Sequence, residues 1–212
     1  MRTDELIAAL SDNPAPVRPG AVMRTLAVGL ALGAAGTFLL MMTTIGMRHD
    51  LMAAMAGGAF WMKFSYTLVL ALLALWLVER AGRPGTDTMR PARMLVLPLL
   101  AIAALAVVQL APESADRHAM MMGRSAMACP WLIAGLALPL FVGVFWAMRQ
   151  LAPTRLTLAG AAAGLLAGSV SASIYAFHCQ ESAAPFIAIW YTAGILLTTA
   201  VGALLGRPFL RW

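Results

Sequence analysis

Two cysteines and three histidines are the residues of this 212-residue chain best suited to redox or metal chemistry. Cys179 directly follows His178 in the stretch YAFHCQES, at the end of a long apolar run. Cys129 lies in SAMACPWL, where another apolar run begins. Two thiols can form one disulfide, whereas thiolate, thioether and imidazole together suit soft ions such as Cu(I). Which of these two chemistries is available depends on the compartment that the cysteines face, because an oxidising exterior permits disulfides.

The apolar runs around the cysteines are long enough to be membrane helices. The chain is 61% hydrophobic and 11% charged, with a mean hydropathy of +0.82, so part of its solvent must be lipid. Six stretches approach the ~20 residues that a helix needs to cross a bilayer. These spans are 25–47, 60–78, 94–111, 130–148, 157–177 and 185–205. The sequence therefore predicts an all-α fold, a polytopic six-helix transmembrane bundle over 25–212 that follows a short N-terminal segment, 1–24.

The basic residues predict the orientation of this bundle. Of the 15 lysines and arginines, 11 lie on the side of the membrane that holds both termini, in segments 1–24, 79–93, 149–156 and 206–212. The other four lie on the opposite side. Because positively charged loops stay in the cytoplasm, both termini are predicted to be cytoplasmic and both cysteines to face outwards. The charge is dispersed among apolar runs, so we predict no direct binding of nucleic acid. Lys63 lies near an outer span end, from which it is expected to snorkel to the interface.

The two cysteines lie at the outer ends of neighbouring antiparallel helices. Spans four and five are joined by a short link, so these ends are expected to be close. A disulfide needs Cα atoms about 5.5 Å apart, which such ends can reach. Pro130 suits the first turn of a helix and puts Cys129 at a helix N-terminus, where a thiolate is stabilised. Two interpretations stay open, a structural disulfide that ties two helices together and a redox sensor.

A soft metal is the other chemistry that this outer face offers. All three histidines and ten of the 15 methionines are on the predicted outer side. The candidate ligands are Cys129, Cys179, His178, His118, Met120, Met121, Met122 and Met127. The commoner use of a methionine is to replace leucine in packing, which is the alternative for each of these thioethers. We predict no required cofactor, with a soft metal ion such as copper as a signal ligand.

The spans contain almost no ionisable side chains and no catalytic motif. A transporter usually places such side chains along its pathway, and the sequence lacks a phosphate loop, a Ser/His/Asp set and HExxH. We therefore predict that the protein is not an enzyme. Gly160, Gly164 and Gly168 form a small-residue face for close helix packing, within or between chains, so the oligomeric state stays open. Pro139 predicts a kink in the fourth span.

The N-terminal segment MRTDELIAALSDNPAPVRPG contains a short amphipathic helix. Thr3 suits its N-cap, and Asp4 lies in its first turn. Leu6, Ile7 and Leu10 supply an apolar face. Such a short helix is marginal alone, so it either lies on the membrane or docks into a groove of a partner. We favour a segment that folds on binding.

Several stretches together resemble one known family. TDELIAALSDNPAPV, APTR, YAFHCQES, WYTAGILL and the terminal RW are similar to the NrsF-type integral-membrane anti-sigma factors over essentially the full length. The resemblance implies six spans in a bacterial inner membrane. It also implies a cytoplasmic face that restrains an extracytoplasmic-function sigma factor until a periplasmic metal or oxidative signal arrives. Gln180 departs from the pattern, which has proline after the His-Cys pair.

The resemblance also assigns roles to individual residues. It implies that Cys129 and Cys179 carry the response to the signal. It further implies that the N-terminal segment contacts the sigma factor, through Asp4, Leu6, Ile7 and Leu10. The sigma factor and the lipid bilayer are then the expected partners. The alternatives are a metal transporter or efflux component, and a structural membrane protein whose disulfide only joins helices.

Overall fold

The computed structural model describes residues 2–11, 20–111, 116–151 and 153–211, which contain helices and no strand. The helices are α1 Thr3–Ser11, α2 Ala21–Thr44, α3 Leu51–Ala56, α4 Gly58–Ala81, α5 Met89–Met94, α6 Val96–Leu110, α7 Arg117–Met122, α8 Cys129–Leu136, α9 Leu138–Arg149, α10 Leu156–Tyr175, α11 Ala184–Phe186 and α12 Thr192–Leu210. A π-helical turn, Ile187–Tyr191, joins α11 to α12. The all-α prediction is confirmed.

Six segments of the described chain are suited to crossing a membrane. Five are long, apolar helical stretches, namely α2, α4, α5 with α6, α10, and α11 to α12. The sixth is the pair α8 and α9, which is bent by 44°. The bend lies at Ala137, two residues before Pro139, and confirms the predicted kink. The Thr37 hydroxyl of α2 donates a hydrogen bond of 2.9 Å to the Leu136 carbonyl beside this break.

The glycines of α10 pack against α12 of the same chain. A methyl group at Gly160 would meet the carbonyl oxygen of Gly202, and one at Gly164 would meet the carbonyl oxygen of Thr198. The two backbones are therefore in direct contact, which only small residues permit. Gly29 of α2 meets Gly143 of α9 in the same way. The small-residue face predicted from the sequence is thus used within the chain.

α10 is the central helix of the bundle. Most of its residues are buried, whereas α6 buries only Ile102 and Ala106. Its serines add hydrogen bonds between helices: Ser171 donates to the Ile133 carbonyl of α8 at 2.7 Å, and Ser173 donates to the Thr67 hydroxyl of α4 at 2.9 Å. Because buried hydroxyls need partners, these bonds fix the position of α10 between α4 and α8.

The short helix α1 presents an apolar surface to solvent. Its first turn is closed by the Arg2 carbonyl, so the helix begins at Thr3 and the cap lies one residue before the predicted one. Leu6 and Ile7 are 42% and 59% exposed. The side chain of Leu10 and residues 12–19 lie outside the described part of the chain.

A candidate thiol site around Cys129 and Cys179

The structure brings both cysteines into one buried cluster. Cys129 is the first residue of α8 and is completely buried, and Cys179 lies just after α10 and is 3% exposed. Both are free thiols, and they are close enough to interact electrostatically. Pro130 occupies the first turn of α8, as the sequence predicts. We call this end of the bundle, where α10 ends and α8 begins, the thiol end.

Aromatic rings surround the two thiols. The Tyr175 hydroxyl interacts with both cysteine side chains, and its ring centroid lies 5.8 Å from that of Tyr191 and 5.6 Å from that of His178. The Tyr191 side chain is fully buried and faces Cys179, but its hydroxyl has no hydrogen-bond partner at normal distance among the described residues. The thiols therefore lie in a tightly packed, largely aromatic environment.

Lys63 of α4 is a site residue whose role sequence analysis missed. Its side chain is 1% exposed and does not snorkel, so that expectation is wrong. The ammonium donates hydrogen bonds to the carbonyls of Cys179 at 2.7 Å and Glu181 at 2.9 Å, and it lies 5.7 Å from the centre of the Tyr191 ring. These carbonyls replace the water that the charge loses on burial. The sequence feature that could have predicted this role is a lone lysine inside an apolar span, because ionisable residues within membrane helices usually have a function.

The loop between α2 and α3 holds the Cys179 segment from a second side. The Arg48 amide donates to the Phe177 carbonyl at 3.1 Å, and its guanidinium donates to the Cys179 carbonyl at 3.2 Å. His178 bonds through Nδ1 to the Gly46 carbonyl at 2.9 Å. Three successive residues, 177–179, are therefore fixed to this loop.

Arg48 is itself held by an ion pair that gives a testable pH dependence. Its guanidinium donates to the Asp50 carboxylate at 2.7 Å, which lowers the pKa of Asp50 from 3.8 to about 2. The stabilisation is complete above pH 3.8, where the carboxyl would be ionised even in the unfolded chain, and is lost as the pH falls through about 2. Asp50→Asn should therefore lower the melting temperature near neutral pH. The difference from the wild-type protein should shrink below pH 3.8, and an unchanged difference at the lowest pH would contradict this assignment.

Glu181 connects the two cysteine-bearing segments. Its carboxylate accepts a hydrogen bond of 2.7 Å from the Arg124 amide, in the stretch that leads to Cys129. Gly123 has φ +50° and lies against this carboxylate with no room for a Cβ atom. The backbone of Glu181 is meanwhile bound to Lys63. Glu181 therefore joins both cysteine segments and α4 through direct hydrogen bonds.

The candidate metal ligands differ in how far they are buried. His118 and Met127 are exposed, whereas Met120, Met121 and Met122 are partly buried. Within the described residues, no three of the His, Cys, Asp and Glu side chains are arranged to hold a metal ion. Cys129 and Cys179 are brought together, with His178 beside them on the Tyr175 ring. The soft-metal interpretation stays a prediction.

Comparison with known proteins gives a consistent result over nearly the whole chain. The family model NrsF, described as negative regulator of sigma F, matches residues 10–212. The probable anti-sigma-F factor NrsF of Azospira oryzae is 42% identical over 215 aligned residues, and the anti-sigma-F factor NrsF of Caulobacter vibrioides is 36% identical over 214. Both alignments cover 100% of each chain. No solved structure matches the chain significantly.

Proposed function

The chain belongs to the NrsF family of negative regulators of sigma F, and from this we propose that it is a membrane anti-sigma factor with a thiol switch. It binds an extracytoplasmic-function sigma factor and keeps it from the polymerase. It releases that factor when a periplasmic oxidant or soft metal acts on Cys129 and Cys179. The observation that carries the thiol part is that both cysteines are free and buried in the same cluster.

The proposed orientation puts the thiol end in the periplasm. The opposite end carries most of the arginines, and Arg155, Arg207 and Arg211 line a single groove there. Positive charge of this kind is retained on the cytoplasmic side of a bacterial inner membrane. Both termini, and with them α1, then face the cytoplasm. A sigma factor would be bound at one end and the signal received at the other.

Formation of a disulfide is the chemistry that two free thiols in one cluster suggest. The two thiols lose two protons and two electrons, the electrons pass to a two-electron oxidant, and one S–S bond forms. A soft metal would need further ligands, and two of the candidates, His118 and Met127, lie at the surface. The roles are therefore regulatory rather than enzymatic, with the oxidant or metal as the signal.

The energy available from a disulfide is of the right order. Moving a two-state protein from 1:99 to 99:1 requires ~5.5 kcal/mol of preference for one state. Disulfide formation supplies this preference when the reduction potential of the cysteine pair differs by ~120 mV between the two states, which corresponds to ~5.5 kcal/mol. A single weak ligand supplies far less. A covalent bond between the cysteines is accordingly sufficient to change most of the population.

The test is to follow thiol state and transcription together in intact cells. A membrane-impermeant maleimide should label Cys129 and Cys179 less after oxidant treatment, while sigma-dependent transcription rises. In Cys129→Ser and Cys179→Ser proteins both changes should vanish and the sigma factor should stay restrained. Ser182→Cys in the double-serine background is the matched control, because Ser182 is exposed at the thiol end. Its labelling should not depend on oxidant.

Each part of the proposal has an outcome that contradicts it. Constitutive transcription in both serine variants, at normal protein levels, would reverse the polarity of the switch. A Ser182→Cys protein that reacts only in broken cells would place the thiol end in the cytoplasm. If labelling requires reductant and stress changes no transcript, the cysteines only join two helices, and thiol state should then affect the melting temperature alone.

A further inference from the structure

Lys63 is a buried charge whose partners are backbone carbonyls of the thiol segment. Its ammonium contacts the oxygens of Cys179 and Glu181, and neither of the ion pairs found among the described residues includes it. A buried ammonium without a carboxylate depends on such acceptors for its solvation. Any movement of these two carbonyls must therefore be followed by Lys63 or leave a poorly solvated charge.

The helix that carries Lys63 reaches the opposite end of the bundle. α4 runs without a break from Gly58 to Ala81, a length of about 36 Å at 1.5 Å per residue. Lys63 lies in its second turn, and Arg80 lies in its last turn. The side chain of Arg80 lines a polar groove there together with Arg155, the residue before α10. A shift of Lys63 along the helix axis is therefore transmitted to the arginine-rich end.

We propose that Lys63 is the positioning residue through which the state of Cys179 moves α4, an inference that rests on the proposed function. Disulfide formation draws Cys179 towards Cys129 and displaces the two carbonyls that hold the ammonium. α4 follows, and the surface at its far end changes. Arg48 also binds the Cys179 carbonyl, but its charge is paired with Asp50 and therefore depends less on that carbonyl for its solvation.

The test separates oxidation of the thiols from its consequence. In cells that make Lys63→Met protein, oxidant should lower maleimide labelling of the cysteines as in the wild type. The ratio of oxidant-treated to untreated transcription should fall about tenfold or more towards one, because charge-assisted hydrogen bonds to α4 are lost. Lys63→Arg keeps the charge and several donors, and should restore part of the response.

Gln109→Met is the matched control. Gln109 of α6 accepts a hydrogen bond of 2.8 Å from the Ala184 amide, so it also holds the segment after Cys179, but through a bond that does not include α4. Its replacement loosens the segment and should leave the induction ratio close to that of the wild type. An equal loss of induction in Gln109→Met and Lys63→Met would overturn the proposal, because looseness rather than the α4 link would explain it.

Two further results would overturn the inference, and each is distinct from failure of the proposed function. If the Lys63→Met protein is induced as strongly as the wild type, Lys63 does not couple Cys179 to α4. If the thiols of that variant are no longer oxidised, Lys63 acts on the oxidation itself and not on its consequence. If the variant does not accumulate, hydrogen exchange of purified wild-type protein decides, since oxidation should alter the exchange of α4 amides near Lys63. A wild-type protein whose transcription ignores oxidant refutes the proposed function itself.

Discussion

Leu6→Asp combined with Ile7→Asp is expected to turn on sigma-dependent transcription without any oxidant. Both side chains are substantially exposed on α1, so they are available to a partner. Burial of each is worth about 1.5–3 kcal/mol, and two charges in an apolar contact remove this gain and add a desolvation cost. The affinity for the sigma factor should therefore fall at least ~100-fold. Binding of purified sigma factor to the full chain in lipid nanodiscs measures this directly.

Ala8→Asp is the control for added negative charge. Ala8 is exposed and lies on the face of α1 that is opposite to Leu6 and Ile7. Its replacement should leave both repression and binding unchanged. The family match begins at residue 10, so most of α1 precedes it, although the two full-length relatives align across it. A double-aspartate protein that still represses and binds as the wild type does would move the sigma contact elsewhere.

The positions of the spans were predictable because hydropathy measures how much of a helix lipid can cover. The boundaries differ where the helix continues past the apolar core. α2 begins at Ala21 rather than residue 25, and α4 ends at Ala81 rather than residue 78. Arg24 and Arg80 lie in these extensions, and their charged ends suit the interface. Hydropathy identifies the buried length, whereas hydrogen bonding sets the end of the helix.

The partner of the glycine face could not be read from the sequence. A four-residue spacing of glycines in α10 predicts close contact with some helix but carries no information on which one. The structure identifies α12, where Gly202 and Gly206 supply matching gaps. Which helix packs on these glycines depends on how the helices are arranged in three dimensions, and the spacing of residues along one helix carries no information on that arrangement.

The same limit explains what was missed at the thiol site. The neighbourhood of Cys129 and Cys179 follows from the antiparallel order of their helices, which chain connectivity determines. The snorkelling prediction for Lys63 uses only its distance from a span end, and it ignores backbone carbonyls that a distant loop brings next to the side chain. Those carbonyls belong to Cys179 and Glu181, and a backbone acceptor leaves no signature in residue type. The role of a lone charged residue in an apolar span is therefore assigned from its contacts in the folded structure and not from its position in the sequence.

Gly160→Val is expected to prevent stable assembly of the bundle. A Cβ atom at this position would overlap the backbone of Gly202 and Gly206, and neither can rotate away as a side chain would. α10 and α12 must then separate along much of their length, at a cost of about 3 kcal/mol or more from lost packing. The melting temperature in detergent and the amount of protein in the membrane should both fall sharply.

Gly135→Ala is the matched control, since a Cβ atom at Gly135 in α8 meets no neighbour within 4 Å. It should be neutral or raise stability by about 0.5–1 kcal/mol, because alanine loses less conformational freedom than glycine in a helix. If the Gly160→Val and Gly135→Ala proteins have the same melting temperature, the contact between α10 and α12 is disproved. The contact also bears on signalling, since α10 carries Cys179 at its end. α10 is joined to α12 by this contact and to α4 by the hydrogen bond between Ser173 and Thr67, so a displacement at its end acts on both helices.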